Sequence, residues 1–245
     1  NGPGWTPERA GPRAKRWAAH SAMLTQGLDK AAAERFWRAL AAHQRYLEQA
    51  WPEAPAGLAR LRALAGLVWV GRVLPAPGQG LALAHLGALA DELIDGEGAV
   101  ANRSPEELAE TVTLLIWTAR LLEDAGQTAR RALLAAIARA VPVLSPLRLG
   151  DGTLARFHGG GPGAPDRLDQ ALAELRLALQ PKPRLAMGFA RLTGRRVVLV
   201  MDGAAPPAGD WAISAHAAAL GLEMSLGRQP VVVNVGPGAG PPHAL

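Results

Sequence analysis

The sequence predicts an α+β chain of more than one domain, helical up to about residue 150 and β-rich beyond it. Three observations carry that reading. From Thr6 to about Pro146 the apolar residues recur at helical spacing, and the breaks between segments are Gly- and Pro-rich turns. At Gly150 the pattern changes to Gly-rich loops and short apolar runs. Beyond it, Val197-Val-Leu-Val-Met-Asp202 and Val231-Val-Val-Asn234 are β-branched enough to be buried strands.

Each helix has its own start and stop. Thr6-Pro7-Glu8 opens one whose stronger part covers 13–26, with Gly27 ending it. Asp29 caps a second that reaches Trp51, where Pro52 and Pro55 stop it. A third covers about 56–74, and "PAPGQG" separates it from a fourth over 81–94. Ser104-Pro105-Glu106-Glu107 reads as an N-cap, a proline at the first helical position and a capping-box acid for a fifth helix to residue 122. Thr128 starts a sixth that weakens at Pro142 and Pro146. Short connections make sequential helices antiparallel neighbours, so helical hairpins stacked in an arc are the economical architecture. Strands are predicted at 154–158, 186–192, 197–201, 217–225 and 230–235, with one last helix or an irregular crossover at 166–179. The expected domains are a helical one over 1–150, a Gly/Pro-rich crossover and linker over 151–184, and the beginning of a β domain over 185–245.

Composition bounds the chemistry. At 245 residues, 49% hydrophobic and 19% charged, the chain can bury a sizeable core. It opens on Asn rather than Met and closes on "GPGAGPPHAL", which reads as part of something longer. With no cysteine there is no disulfide framework, thiol nucleophile or Cys-ligated zinc. No window forms a membrane span. The net charge of +5 favours an acidic partner, nucleic acid, anionic lipid or acidic polysaccharide, without choosing among them. Basic clusters with interleaved aromatics are missing, so no nucleic acid is expected.

Five stretches together resemble the heparinase II/III family of polysaccharide lyases: "GPGWTPERAGPRAKRW", "DGEGAVANRSPEELAE", "LGDGTLARFHGGG", "AMGFARLTGRRVVLVMD" and "SAHAAALGLEMSLGRQPVVVNVG". The last is the most specific. The resemblance implies an incomplete α/α toroid of antiparallel helix pairs followed by the first strands of a β-sandwich. It also implies β-elimination on a uronic-acid polysaccharide, glycosaminoglycan- or alginate-like, in the cell envelope or periplasm. Such a reaction needs a group that offsets the uronate charge, a base for the adjacent C–H and an acid for the leaving oxygen.

Several usual residues are replaced. Where such lyases show an Asn-His pair, this chain offers Leu58 and Ala59; where they place a tyrosine after Arg103-Ser-Pro105, it has Glu107; and Ser214 stands for the first His of His-x-His. The catalytic candidates are therefore Arg103, Glu107, Arg156 and His158, the last preceding a glycine run whose N–H groups could face an anion. A capping role for Glu107 and a plain loop role for His158 stand beside these readings. His216 and Asn234 match the family's metal-holding His and Asp, which implies a weak zinc site or none, since an amide replaces a carboxylate. A His–Asn hydrogen bond in a packed hairpin fits the same pair. Tyr46, the single tyrosine, lies near Trp51 and Leu47 and reads as packing. The two functions left open are a lyase with a rearranged site and a non-catalytic binder of envelope glycans.

Overall fold

The computed structural model describes residues 4–75, 78–127, 131–175, 185–215 and 220–235. Its helices are α1 (Pro7–Ala19), α2 (Ser21–Thr25), α3 (Lys30–Ala50), α4 (Leu58–Val70), α5 (Gln79–Leu93), α6 (Pro105–Asp124), α7 (Arg131–Leu144) and α8 (Pro165–Glu174). The strands are β1 (Phe189–Thr193), β2 (Val197–Asp202), β3 (Leu222–Leu226) and β4 (Gln229–Val232). The chain forms two compact units, residues 1–92 with 117–134, and 93–116 with 135–245.

In the first unit α1 packs on α4 and α3. The α1–α4 approach is set by glycine: a Cβ on Gly66 would stand 2.7 Å from the Gly11 Cα, and one on Gly11 2.3 Å from the Arg62 carbonyl oxygen. Ala10, Ala14, Ala18, Leu40, Leu47, Ala63 and Val70 fill the seam. The helix expected up to residue 26 is broken at His20, whose φ of −110° and ψ of 17° leave the helical region, giving α1 and the short α2. Asp29 caps α3 as its sequence predicts, accepting the Ala32 N–H at 2.7 Å. Tyr46 donates its hydroxyl to the Trp5 carbonyl at 2.6 Å and meets the Trp5 ring edge-on, a packing role.

The second unit holds a four-stranded antiparallel meander in the order β1-β2-β3-β4. Its registers put Phe189 opposite Asp202, Val200 opposite Glu223 and Val198 opposite Ser225, which places these side chains on one face. That face is the buried one, so Asp202, Glu223 and Ser225 lie inside while Leu192, Leu222 and Leu226 stand on the other face, exposed. Residue 150 is a glycine for a steric reason: a Cβ there would sit 1.9 Å from the Gly227 carbonyl oxygen. The Gly150 N–H instead reaches Ser225 Oγ at 2.9 Å.

No strand forms at 154–158. That segment makes a single bridge, Arg148 to Leu154, and its N–H groups turn elsewhere, Leu154 to the Pro162 carbonyl and Ala155 to the Leu147 carbonyl, both at 3.0 Å. The left-handed residues Gly152, His158 and Gly159 break the extended path. The last helix, α8, stops at Glu174, and 176–184 lie outside the described residues.

Candidate functional site

Arg103 ends the loop before α6, and His158 ends the segment 154–158. Both reach the last residue of β2. Asp202 accepts the Arg103 guanidinium on Oδ1, and His158 Nε2 lies 3.0 Å from Oδ2. Asp202 and His158 are each 1% exposed, so this is an ion-paired cluster inside the unit. Arg103 also donates Nε to the Met187 carbonyl at 2.8 Å and Nη1 to the Ala205 carbonyl at 2.6 Å, and lies 4.8 Å over the Phe189 ring. Gly188 makes room for it, since a Cβ at φ +83° would come within 2.9 Å of Arg103 Nη2.

Both partners of Asp202 hold left-handed backbone, Arg103 at φ 53° and His158 at φ 49°. Such a conformation costs a non-glycine residue about 1–2 kcal/mol. The buried pairs and the stacked Phe157–Phe189 rings, 4.9 Å apart, hold it in place.

Glu107 and Arg156 are not part of this cluster. The Glu107 N–H reaches Ser104 Oγ at 3.4 Å, a capping contact, but its carboxylate accepts the Asn102 amide instead of the Ser104 N–H. That N–H goes to Asn102 Oδ1 at 3.1 Å, so the reciprocal half of the capping box is supplied by Asn102. Arg156 Nη1 lies 3.9 Å from Glu223 Oε1 on β3. The glycine run after His158 does face an anion, but one of the chain's own: Gly161 N–H donates to Glu106 Oε2 at 2.6 Å.

Glu223 went unnoticed as a site residue in the sequence and is fully buried. Burial pushes its carboxyl above the ordinary carboxylate range, while the N–H groups of Asn234 and Arg156 and the Arg156 charge oppose the shift. The Asn234 N–H donates to Glu223 Oε1 at 2.9 Å. His216, the other expected metal ligand, lies outside the described residues. Among the described residues no three His, Asp or Glu side chains gather as metal ligands, and the Asn234 side chain brings only a neutral amide.

An open pocket of about 880 Å³ adjoins Arg103, lined also by Asp95, Glu97, Val100, Val143 and Met187. Arg103 is the one cation among its described lining residues, and Asp202 already answers that charge.

Residues 179–242 match the family described as Heparinase II/III-like, C-terminal. A crystal structure of a mutant of the heparan sulfate lyase HepC from Pedobacter heparinus superposes with a TM-score of 0.62 at 14% identity, over 95% of this chain and 41% of that one. The fold is heparinase II/III-like. FtsZ-localized protein C of Caulobacter vibrioides is 31% identical over 202 residues, 79% of this chain and 34% of that protein. The chain thus spans about a third of the length of that curated relative. Within the heparinase II/III-like segment lie Asp202, Glu223 and Asn234; Arg103, Arg156 and His158 come to them from outside it.

Proposed function

We propose that this chain is a non-catalytic, glycan-binding relative of the polysaccharide lyases, recognising an acidic, uronate-bearing polysaccharide of the cell envelope. One observation carries the reading. His158, the one imidazole among the catalytic candidates, is sealed inside the unit with Nε2 on Asp202, out of reach of a sugar C–H. Glu107 is engaged with Asn102, and Arg103 and Arg156 face Asp202 and Glu223, so none of the four is poised to offset a uronate charge. The arginine excess and net charge of +5 support an acidic ligand. Zinc has no part in this reading; the neutral Asn234 amide favours weak binding or none.

The test offers heparan sulfate and alginate to the full-length protein and follows both retention on the immobilised polysaccharide and release of unsaturated uronate ends. Salt-sensitive retention without unsaturated ends is the expected result. Unsaturated ends that disappear in His158→Ala or Arg103→Ala would show β-elimination by a rearranged site and sink the binding-only reading. As the Caulobacter relative is FtsZ-localized by name, co-localisation of a tagged full-length protein with FtsZ is the matching test in cells.

A further inference from the structure

The connection between α1 and α3, which is the short α2 and the turn after it, projects an apolar tip. Met23, Leu24 and Leu28 fall within six positions and are 64%, 41% and 44% exposed. Gly27, at φ +75°, turns the chain there, and a Cβ on it would meet nothing within 4 Å, so the tip stands in open space. Thr25 Oγ1 donates to the Ser21 carbonyl at 2.8 Å and the Leu28 N–H reaches the Thr25 carbonyl at 3.3 Å, while His20, Gln26 and Asp29 stand exposed around the apolar side chains. Behind the tip, Trp17, Phe36 and Trp37 form a partly buried aromatic base, with ring centroids 5.9 Å and 5.0 Å apart in succession, seated on the α1–α3 core.

Exposed cations flank the tip, Arg16 at the end of α1 and Lys30, Arg35 and Arg38 on the first turns of α3. Asp29 and Glu34 lie among them, so four cations less two carboxylates leave +2 around the apolar side chains. Apolar side chains on a short turn, aromatic rings below and a cationic surround are what a monotopic contact with an anionic bilayer requires. No described helix is long and apolar enough to cross a membrane, so the contact is peripheral. A second copy fits the tip poorly. Three side chains fall short of the roughly 1,000 Å² that a stable protein interface buries, and two tips would bring like charges together.

We infer that Met23, Leu24 and Leu28 insert into the headgroup region of an anionic lipid bilayer, with Arg16, Lys30 and Arg35 on its phosphates. This contact is independent of the glycan reading, and either could fail alone.

The probe is cosedimentation of the full-length protein with vesicles of phosphatidylcholine alone or with phosphatidylglycerol. We expect about tenfold or tighter binding to the anionic vesicles, weakening as salt rises. Replacing Met23, Leu24 and Leu28 together by Gln should cut that binding about tenfold or more, with the melting temperature unchanged because all three are exposed. Should the triple variant misfold, a dye on Met23→Cys gives a second readout, since this stretch has no cysteine of its own. Its emission should shift blue on anionic vesicles, and that of a dye on Gln170→Cys in α8 should not. A wild type that stays in the supernatant, a folded triple variant that binds as well, or a triple variant that loses only self-association in the ultracentrifuge would each overturn the inference.

Discussion

His158 Nε2 stands 3.0 Å from Asp202 Oδ2, a contact between residues 44 positions apart that ties the glycine-rich loop to the end of β2. The other Asp202 oxygen takes Arg103, so one buried carboxylate compensates two groups. Removing it would leave the Arg103 guanidinium without its counter-charge. Asp202→Ala should lower the unfolding free energy by about 3–5 kcal/mol, the usual cost of leaving buried charges without their partner. Asp202→Asn, which keeps an acceptor, should cost less. Urea denaturation checks the pair, and a loss below about 1 kcal/mol for Asp202→Ala would mean that the cluster is not what holds the loop.

The α1–α4 seam makes a steric prediction. Gly66→Ala puts a methyl 2.7 Å from the Gly11 Cα, which only a shift of one helix can relieve. Overpacking of this kind costs about 1–3 kcal/mol. Gly80→Ala in α5 is the control, because its Cβ would meet nothing within 4 Å. There the helix propensity of Ala should stabilise by up to about 1 kcal/mol. Thermal melts of the two variants should move in opposite directions.

His43 sets an acid limit on the first unit. Arg13 Nε donates to its Nε2 at 2.7 Å, so Nδ1, 2.8 Å from the Ala39 carbonyl, carries the proton and the ring is neutral. Burial lowers its pKa below 6.5; the Ala39 carbonyl raises it in part, and Arg13 lowers it again. Below pH 6.5 the unfolded chain takes up the proton before the folded one does. Stability contributed by neutral His43 is therefore complete above that pH and falls as pH drops through the window beneath it. On lowering the pH from 8 to 5, the denaturation midpoint of the wild type should therefore drop relative to that of His43→Gln.

The helices were legible because their ends are written locally: Asp29 caps α3, Pro105 starts α6, and the apolar period runs between such signals. β2 and the valines of β4 were legible as β-branched runs, β1 and β3 only as short apolar ones; the valines expected to be buried at 231–233 stand exposed. The segment 154–158 was not, since its apolar letters fit a strand and only the backbone angles near Gly152 and His158 reveal a loop. Arg103 and His158 could be picked out by their place beside a turn and a glycine run. Their common partner could not, because Asp202 lies 99 and 44 residues away and looks in the sequence like the polar end of a strand. Glu223 was hidden for a related reason. It sits in an alternating strand whose buried face is the polar one, opposite to the usual expectation.

That inverted face gives the last prediction. Glu223 is fully buried on β3, accepts the Asn234 N–H and lies 3.9 Å from Arg156 Nη1. Since its folded pKa is raised above 4.5, the folded chain holds this proton after the unfolded chain has released it. Its contribution is most favourable below pH 4.5 and is lost as pH rises through the raised value. Glu223→Gln keeps an oxygen for the Asn234 N–H and removes the buried charge. It should leave stability at pH 8 equal to wild type or higher, with its advantage over the wild type growing as pH rises above 4.5. Glu223→Ala removes the hydrogen bond from the Asn234 N–H and should be less stable than Glu223→Gln by about 0.5–1.5 kcal/mol, the usual net worth of such a bond. Equilibrium denaturation of the three proteins across the series separates these outcomes. A Gln variant as damaged as the Ala variant at pH 8 would show that the Arg156–Glu223 attraction outweighs the burial of the carboxylate, and the direction assigned to Glu223 would be reversed.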